Sequence, residues 1–216
     1  MDRVTQLSPI GELPVPHIIE KMSDFEPDTE PSDQAERHAA VAFIVRDRPS
    51  GGAETLFIKR SERDDDPWSG HMALPGGRRD PGDESLEATA RRETMEEVGL
   101  ELDPAQCFGR LHDIYGGRLH SFKMSVSPFL FHTTDGHELN FNNDEVADAV
   151  WVPLSILSDP AQIREYIFHL DPHSRPFPSF HYNDYIIWGL TFRIIADFME
   201  PFGITLPGEP GVTDVE

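Results

Sequence analysis

Hydrophobic and polar positions divide the chain into a periodic middle and two irregular ends. Residues 37–200 carry the hydrophobic runs, whereas residues 1–36 and 201–216 combine prolines with acidic residues. Segments of this composition bury too little apolar surface to hold one conformation. The pattern predicts an extended or disordered N-terminal arm over 1–36, a folded domain over 37–200 and an acidic C-terminal tail over 201–216.

Short apolar stretches in the folded part predict strands. Ala39–Arg46 and Thr55–Arg60 flank the turn sequence PSGG, so they are expected to form a hairpin or a neighbouring pair. A polar loop over residues 61–83 follows them, and a loop of this length is expected to have a function beyond connecting two elements. Later strands are predicted at FGRLHDIY, KMSVSPFLFHT and AVWVPL.

Helical periodicity marks the central segment, about Ser85–Val98. Ala90, Thr94 and Val98 form one apolar stripe, and Gly99 stands where a left-handed C-terminal cap belongs. Strands precede and follow this helix, so the expected fold class is a mixed α/β layered domain.

The C-terminal part predicts two further helices. A short one is expected over about residues 161–169, and an aromatic, proline-rich loop is expected over 171–183. The last helix is predicted over about residues 184–199 and should pack firmly on the body. It places four apolar residues at helical spacing: Ile187, Leu190, Ile194 and Phe198.

The charge balance limits the classes of partner that the protein is expected to bind. The chain has 18 basic and 39 acidic residues, a net charge of −21, which disfavours non-specific binding to nucleic acid or anionic membranes. A single cysteine, Cys107, excludes an intrachain disulfide. The longest apolar run, Ala39–Val45, is far shorter than the roughly 18 residues of a membrane span, and the N-terminus lacks an apolar signal stretch. We therefore expect a cytoplasmic protein.

Three glutamates are crowded together on the predicted central helix. Glu93, Glu96 and Glu97 stand at i, i+3 and i+4, where side chains lie about 5–6 Å apart and like charges repel. A solvated acidic face is the ordinary interpretation. However, the glutamates border the apolar stripe, and a Gly/Pro loop, LPGGRRDPGD, precedes the helix. Carboxylates and a loop carbonyl are the oxygen ligands that Mg²⁺ prefers.

The stretch GRRDPGDESLEATARRETMEEVGL, residues 77–100, resembles the conserved box of the Nudix hydrolases. Six positions match in register: Arg92, Glu93, Glu96, Glu97, Gly99 and Leu100. Thr94 replaces an aliphatic residue. Six residues rather than five separate Gly77 from Glu84, so Asp83 and Glu84 compete for the first acidic position. The resemblance implies an α/β/α sandwich with a central mixed sheet.

The resemblance also implies roles for individual residues. Metal ligands would be the three glutamates of the helix and the Gly77 carbonyl, holding Mg²⁺ or Mn²⁺. Arg92 would orient Glu96 or its neighbours, with a surface ion pair as the alternative. The general base would be Glu93 or Glu145. The catalytic residues that the resemblance implies are therefore Glu93, Glu97, Glu145 and Arg92.

Within that family, LFIKRS, LPGG and IIWGLTFRII are similar to the coenzyme A pyrophosphatase branch. Trp68 departs from it, because that branch has a histidine there. Phosphate contacts are expected from Arg60, Arg63, Arg78, Arg79 and His71, although a plain surface role is the alternative for each arginine. Phe177, Phe180 and Tyr182 are candidates for stacking on a base, with core or interface packing as the alternative.

The expected reaction is hydrolysis of the pyrophosphate bond of a nucleoside diphosphate linked to another moiety, with coenzyme A or a derivative as the substrate. ADP-ribose and oxidised nucleoside triphosphates are alternative substrates. A non-hydrolysing nucleotide sensor and a structural acidic protein are alternatives of other classes. Because family members often pair, a homodimer that exchanges the N-terminal arm is a further expectation.

Overall fold

The computed structural model describes residues 10–29, 37–63, 69–116, 124–134, 138–141, 144–170 and 173–207. Its helices are α1 (Val15–Met22), α2 (Leu86–Val98), α3 (Leu154–Leu157) and α4 (Gly189–Met199). Its strands are β1 (Arg37–Asp47), β2 (Ala53–Arg60), β3 (Met72–Ala73), β4 (Gly76–Arg78), β5 (Cys107–Arg110), β6 (Ile114–Gly116), β7 (Met124–His132), β8 (Val146–Pro153), β9 (Ile163–Leu170), β10 (His173–Tyr182) and β11 (Tyr185–Trp188). Among the described segments, no helix is both long and apolar enough to cross a membrane.

Strand β1 runs through the centre of an eight-stranded mixed sheet. It is parallel to β7, from Arg37 opposite Met124 to Val45 opposite His132. It is antiparallel to both β2 and β4, so the predicted hairpin of the first two strands is confirmed. Strand β2 also pairs with β3 and β8, while β5 and β6 pair with β7.

Alternate side chains of β1 enter two separate cores, because successive residues of a strand point to opposite faces. Phe43 and Val45 join one core together with residues of α1 and α4. Ala42 and Ile44 join the other core, to which α2 contributes. The sheet thus lies between two helical layers, which confirms the predicted α/β/α sandwich with a central mixed sheet.

The predicted N-terminal arm is partly folded onto the domain. Residues 15–22 form α1, and Ile18 and Met22 are buried at i and i+4. The Val15 N–H donates to Asp47 Oδ1 at 2.8 Å, which ties the start of α1 to the end of β1. The prediction of an extended or disordered arm is therefore wrong for the helical residues 10–12 and 15–22, because prolines are tolerated in the first turn of a helix. Residues 23–29 belong to no helix or strand. Residues 1–9, 30–36 and 208–216 of the predicted arm and tail lie outside the described residues.

The segment after α3 folds differently from its prediction. Strands β9, β10 and β11 form a separate antiparallel sheet in the order β11-β10-β9, so the helix predicted over 161–169 and the loop predicted over 171–183 are both wrong. The apolar residues Ile163, Tyr166 and Ile167 have the spacing expected of a helix. The pairing of β9 with β10 joins two segments and cannot be recognised from either segment alone. The last helix begins at Gly189 rather than near residue 184, because β11 first pairs with β10.

Candidate functional site

Local capping determines where helix α2 begins and ends. Ser85 Oγ accepts a hydrogen bond from the Ala88 N–H at 3.0 Å, and Gly99 closes the helix with a φ of 67°. The predicted central helix is thereby confirmed almost to the residue. Its last two turns carry the predicted metal ligands Glu93, Glu96 and Glu97.

Two glycines let the preceding strand, β4, pack closely against its neighbours: Gly77 faces α2 and Gly76 faces β1. A Cβ on Gly77 would lie 2.4 Å from Cδ of Glu93, and a Cβ on Gly76 would lie 2.3 Å from the Ala40 carbonyl oxygen. Gly76 also has a φ of 152°, a region that favours glycine. Larger residues at these positions would separate β4 from β1 or push the Glu93 carboxylate aside.

Glu93, Glu96 and Glu97 form a carboxylate strip along α2. Glu97 is its buried member, with 5% of its surface exposed. Its Oε2 accepts a hydrogen bond from the Gly76 N–H at 2.8 Å. Burial raises the pKa of Glu97 to about 8; the Gly76 hydrogen bond opposes this, and the nearby charge of Glu93 adds to it. A buried carboxylate with a like-charged neighbour is a suitable place for a cation.

Glu93 and Glu96 lie progressively closer to solvent. Burial raises the pKa of Glu93, the Arg92 guanidinium opposes the shift, and the charges of Glu96 and Glu145 add to it. The Glu96 side chain is 54% exposed and accepts a hydrogen bond from Arg92 Nη1 at 3.0 Å. The strip therefore grades from a buried inner end at Glu97 to a solvated outer end at Glu96.

Arg92 links the helix to the loop in front of it. Its Nε and Nη2 donate to the two carboxylate oxygens of Asp83 at 2.8 and 3.0 Å. Nη2 also donates to Glu93 Oε1 at 2.9 Å and to the Arg78 carbonyl at 3.1 Å. These contacts raise the pKa of Arg92 and hold the pKa of Asp83 well below its usual range. The guanidinium is thus positioned to orient the carboxylates around it.

The extra residue of the box is accommodated through Asp83 rather than Glu84. Asp83 Oδ2 accepts hydrogen bonds from Thr89 Oγ1 at 2.8 Å and from the Asp80 N–H at 2.9 Å, in addition to its pair with Arg92. Glu84 is exposed. The side chain that contacts Arg92 is therefore Asp83, a choice that the residue count alone left open.

A cluster of potential metal ligands occurs outside the carboxylate strip. Among the described residues, the group of potential ligand atoms lying within 4.8 Å of one another is a different one, formed by His112, Asp197 and Glu200. His112 Nδ1 accepts a hydrogen bond from the Asp28 N–H, and its Nε2 lies 3.4 Å from Asp197. These contacts explain that cluster as a link between α4 and the N-terminal segment. His112 is far in sequence from Asp197 and Glu200, and no local pattern pointed to the cluster.

Arg60 and Glu145 flank the buried end of the strip. Arg60 ends β2, and the Ser61 N–H donates to the Glu145 carbonyl at 3.0 Å. The charge of Arg60 lowers the pKa of Glu97, and the charge of Glu145 raises it. The structure thus brings a predicted phosphate contact and a predicted general base to the same carboxylate, while the two roles stay predictions.

Arg63 and His71 each have a defined partner in the structure. Arg63 Nη2 donates to the Asp144 carbonyl at 2.7 Å, which holds its loop beside Glu145. The His71 ring packs edge-on against Trp188, with ring centroids 4.9 Å apart. Their predicted contacts with a substrate stay predictions, and Trp68 lies outside the described residues.

Arg78 and Arg79 follow the glycine pair and are both exposed. Together with Arg37 and His38 they line an open cavity of about 390 Å³. Arg79 Nη2 also donates to the Asp83 carbonyl at 3.2 Å. These two predicted phosphate contacts therefore belong to the Arg92 side of the strip, whereas Arg60 belongs to the Glu97 side.

Comparison with known proteins identifies relatives of the chain. A family model described as the NUDIX domain matches residues 36–171. NudL of Photorhabdus laumondii, described as an uncharacterised Nudix hydrolase, is 34% identical over 165 residues, covering 74% of this chain and 81% of NudL. The human mitochondrial coenzyme A diphosphatase NUDT8 is 32% identical over 146 residues, covering 66% of this chain and 60% of NUDT8.

A longer relative occurs in fission yeast. An uncharacterised protein of Schizosaccharomyces pombe is 39% identical over 130 residues, covering 58% of this chain and 40% of the yeast protein. The chain therefore spans less than two thirds of both the human and the yeast relative.

The family match contains the whole carboxylate helix, the glycine pair and the Arg92 contacts. It confirms the resemblance noted in the sequence, and the relatives include a protein named as a coenzyme A diphosphatase. Pyrophosphohydrolase activity is what this family match and the hydrolase relatives support. The chain belongs to the Nudix hydrolase family.

Proposed function

We propose that the protein hydrolyses the pyrophosphate bond of a nucleoside diphosphate linked to another moiety, with coenzyme A or a derivative as the substrate. The observation that carries the proposal is the environment of Glu97, a carboxylate 5% exposed that lies beside a second carboxylate and accepts the Gly76 N–H of β4. Burial raises the pKa of Glu97, so its ionised form needs a compensating cation. The name of the human relative supports the choice of substrate.

The residues present fit a hard divalent ion. Burial raises the pKa of both Glu93 and Glu97, so a bound cation would stabilise the ionised form of each carboxylate. Mg²⁺ and Mn²⁺ both accept oxygen ligands, which Glu93, Glu96, Glu97 and the Gly77 carbonyl would provide. When bound, such an ion neutralises phosphate oxygens and lowers the pKa of a water.

The remaining residues act on the substrate and the attacking water. Glu93 or Glu145 accepts the proton of the water as it attacks phosphorus. Arg92 holds the Glu93 carboxylate through its 2.9 Å hydrogen bond. Arg60, Arg63, Arg78, Arg79 and His71 contact the phosphates, and on a chain of net charge −21 the four arginines attract an anionic substrate.

A substrate panel tests the proposal. The protein is incubated with Mg²⁺ or Mn²⁺ and coenzyme A, ADP-ribose, NADH, a nucleotide sugar or an oxidised nucleoside triphosphate, and the products are identified. We expect coenzyme A to give 3′,5′-ADP and 4′-phosphopantetheine. Preferred cleavage of ADP-ribose or of the oxidised triphosphate would transfer the assignment to those substrates.

Two variants separate hydrolysis from the other classes of function. Glu97→Gln should reduce turnover by about 10²-fold or more, whereas Glu101→Gln, at an exposed acidic residue just beyond α2, should leave turnover unchanged. Nucleotide binding without turnover under any condition would indicate a sensor. Indifference to Glu97→Gln together with no specific metal binding would indicate a structural acidic protein.

A further inference from the structure

One face of the β9–β10–β11 sheet is covered by aromatic rings. Phe177 stands directly opposite Tyr166, and Trp188 stands opposite Ser179. Residues opposite one another in antiparallel strands share a face, as do residues two apart along one strand. Tyr166, Phe168, Phe177 and Trp188 therefore lie on one side of this sheet, called the aromatic face below.

The rings of the aromatic face form one contiguous surface around Trp188. Ring centroids lie 4.7 Å from Trp188 for Tyr166, 4.8 Å for Phe168 and 5.2 Å for Phe177. Trp188 is 7% exposed, whereas the three rings around it are only partly buried. The cluster is supported underneath by the buried Trp188 and offers aromatic surface outside.

The aromatic face adjoins the carboxylate site through His71. The His71 ring contacts Trp188, and the His71 carbonyl accepts a hydrogen bond from the Arg60 N–H at 3.0 Å. Ser61, the residue after Arg60, donates its N–H to the Glu145 carbonyl at 3.0 Å. The end of β2 thus connects the aromatic rings with the predicted general base of the carboxylate site.

Positive charge accompanies the rings. Arg164 lies opposite Ser179 and Arg175 lies opposite Phe168, so both arginines belong to the same side of the sheet. Both are exposed. On a chain of net charge −21, aromatic rings flanked by two guanidinium groups are complementary to a planar ring that carries phosphate.

We propose that the aromatic face binds the purine base of the nucleotide substrate, while Arg164 and Arg175 contact a phosphate on its ribose. The proposal rests on the proposed function and specifies where the nucleoside part of the substrate lies. Stacking suits a purine because its large π-face covers the partly buried rings of Tyr166 and Phe177. The pyrophosphate then extends past His71 and Arg60 toward Glu97.

Binding of 5′-AMP and of ribose 5-phosphate, measured by calorimetry without metal, tests this inference separately from hydrolysis. We expect 5′-AMP to bind the unaltered protein more tightly than ribose 5-phosphate by roughly 10–100-fold, the contribution of base stacking. Tyr166→Leu and Phe177→Leu should each reduce that ratio severalfold or more. Arg175→Gln should weaken binding of 3′,5′-ADP, which carries a second ribose phosphate, and should leave the affinity for 5′-AMP unchanged.

The control is Ile167→Ala, because Ile167 is adjacent in sequence, 39% exposed and on the opposite face of β9. It should leave the ratio unchanged, and melting temperatures should show that all variants fold. Equal affinity for the two ligands, or a ratio that both leucine variants retain, overturns the proposal even where hydrolysis occurs. Loss of a dimer in the leucine variants, seen by sedimentation with the ratio unchanged, would overturn it in favour of a subunit interface.

Discussion

The two ends of the carboxylate strip handle negative charge in opposite ways. At the outer end, the guanidinium group of Arg92 donates hydrogen bonds to Asp83, Glu93 and Glu96. At the inner end, Glu97 is nearly inaccessible to solvent and is held by a backbone N–H. The pKa of Asp83 is lowered by its bond to Arg92, whereas the pKa of Glu97 is raised by burial.

This contrast separates two tasks within one helix. At the outer end, Arg92 donates hydrogen bonds to three carboxylates, so its contacts position those side chains. At the inner end, burial raises the pKa of Glu97, so its ionised form is favoured only when a cation is added. The comparison predicts that changes at the inner end impair chemistry and metal binding most, whereas changes at the outer end act through geometry.

The largest expected effect is that of Glu97→Gln. We expect kcat with saturating Mg²⁺ to fall by about 10²–10⁴-fold, as for loss of a group that takes part directly in the chemistry. The fold should be retained, because the glutamine oxygen still accepts the Gly76 N–H. Glu96→Gln should cost less, since the Glu96 side chain is 54% exposed and already paired. Equal losses of kcat in the two variants would remove the distinction between the two ends.

Arg92→Ala should have the next largest effect. It leaves Asp83 without its bidentate partner and Glu93 without a hydrogen bond, so kcat/KM should fall roughly 10–100-fold, as when a group that orients metal ligands is lost. Arg91→Ala is the matched control, because Arg91 forms only a helical i, i+4 pair with Glu87 among the ion pairs of the described residues. Full activity in Arg92→Lys would show that charge, rather than the forked geometry, is what matters.

Alanine substitutions at the two glycines of β4 should have different effects. Gly76→Ala meets backbone atoms of Ala40 and Val41, so it should lower the free energy of unfolding by about 1–3 kcal/mol or more. Gly77→Ala meets the flexible carboxylate of Glu93, so it should weaken Mg²⁺ binding while destabilising the fold less. Denaturant titration and metal titration of both variants measure this; a Gly77→Ala protein with normal metal affinity would contradict it.

A last effect concerns the pH dependence of stability. Because the pKa of Glu97 is raised from 4.5 to about 8, its contribution to stability is complete below pH 4.5 and is lost as pH rises through 8. Each tenfold difference in proton affinity between the folded and unfolded states changes the free energy of unfolding by about 1.4 kcal/mol. Metal-free protein should therefore lose more stability between pH 5 and 8 than Glu97→Gln does, and Mg²⁺ should restore it. Parallel stability curves for the two proteins would show that Glu97 is ionised at ordinary pH in the folded state.

The carboxylate helix was predictable because its signals are local. Ser85 and Gly99 cap the helix within one turn of its ends, and the apolar stripe repeats at helical spacing. The three-stranded sheet was not predictable, because β9 and β10 stabilise each other by pairing. Pro176 and Pro178 suggested a loop, yet they lie in the part of β10 that β11 does not cover, where one edge of the strand needs no N–H donor.

Sequence alone determined the residue types of the site, its family resemblance and the helix that displays the glutamates, since caps and periodicity act over a few residues. Tertiary structure alone decided that Asp83 rather than Glu84 contacts Arg92, that Glu97 is the buried member of the strip, and that aromatic rings adjoin His71. Those outcomes depend on the close approach of β4 to α2 and of β11 to β3. Contacts between segments distant in the chain leave no periodic pattern, because they are settled only when the layers pack.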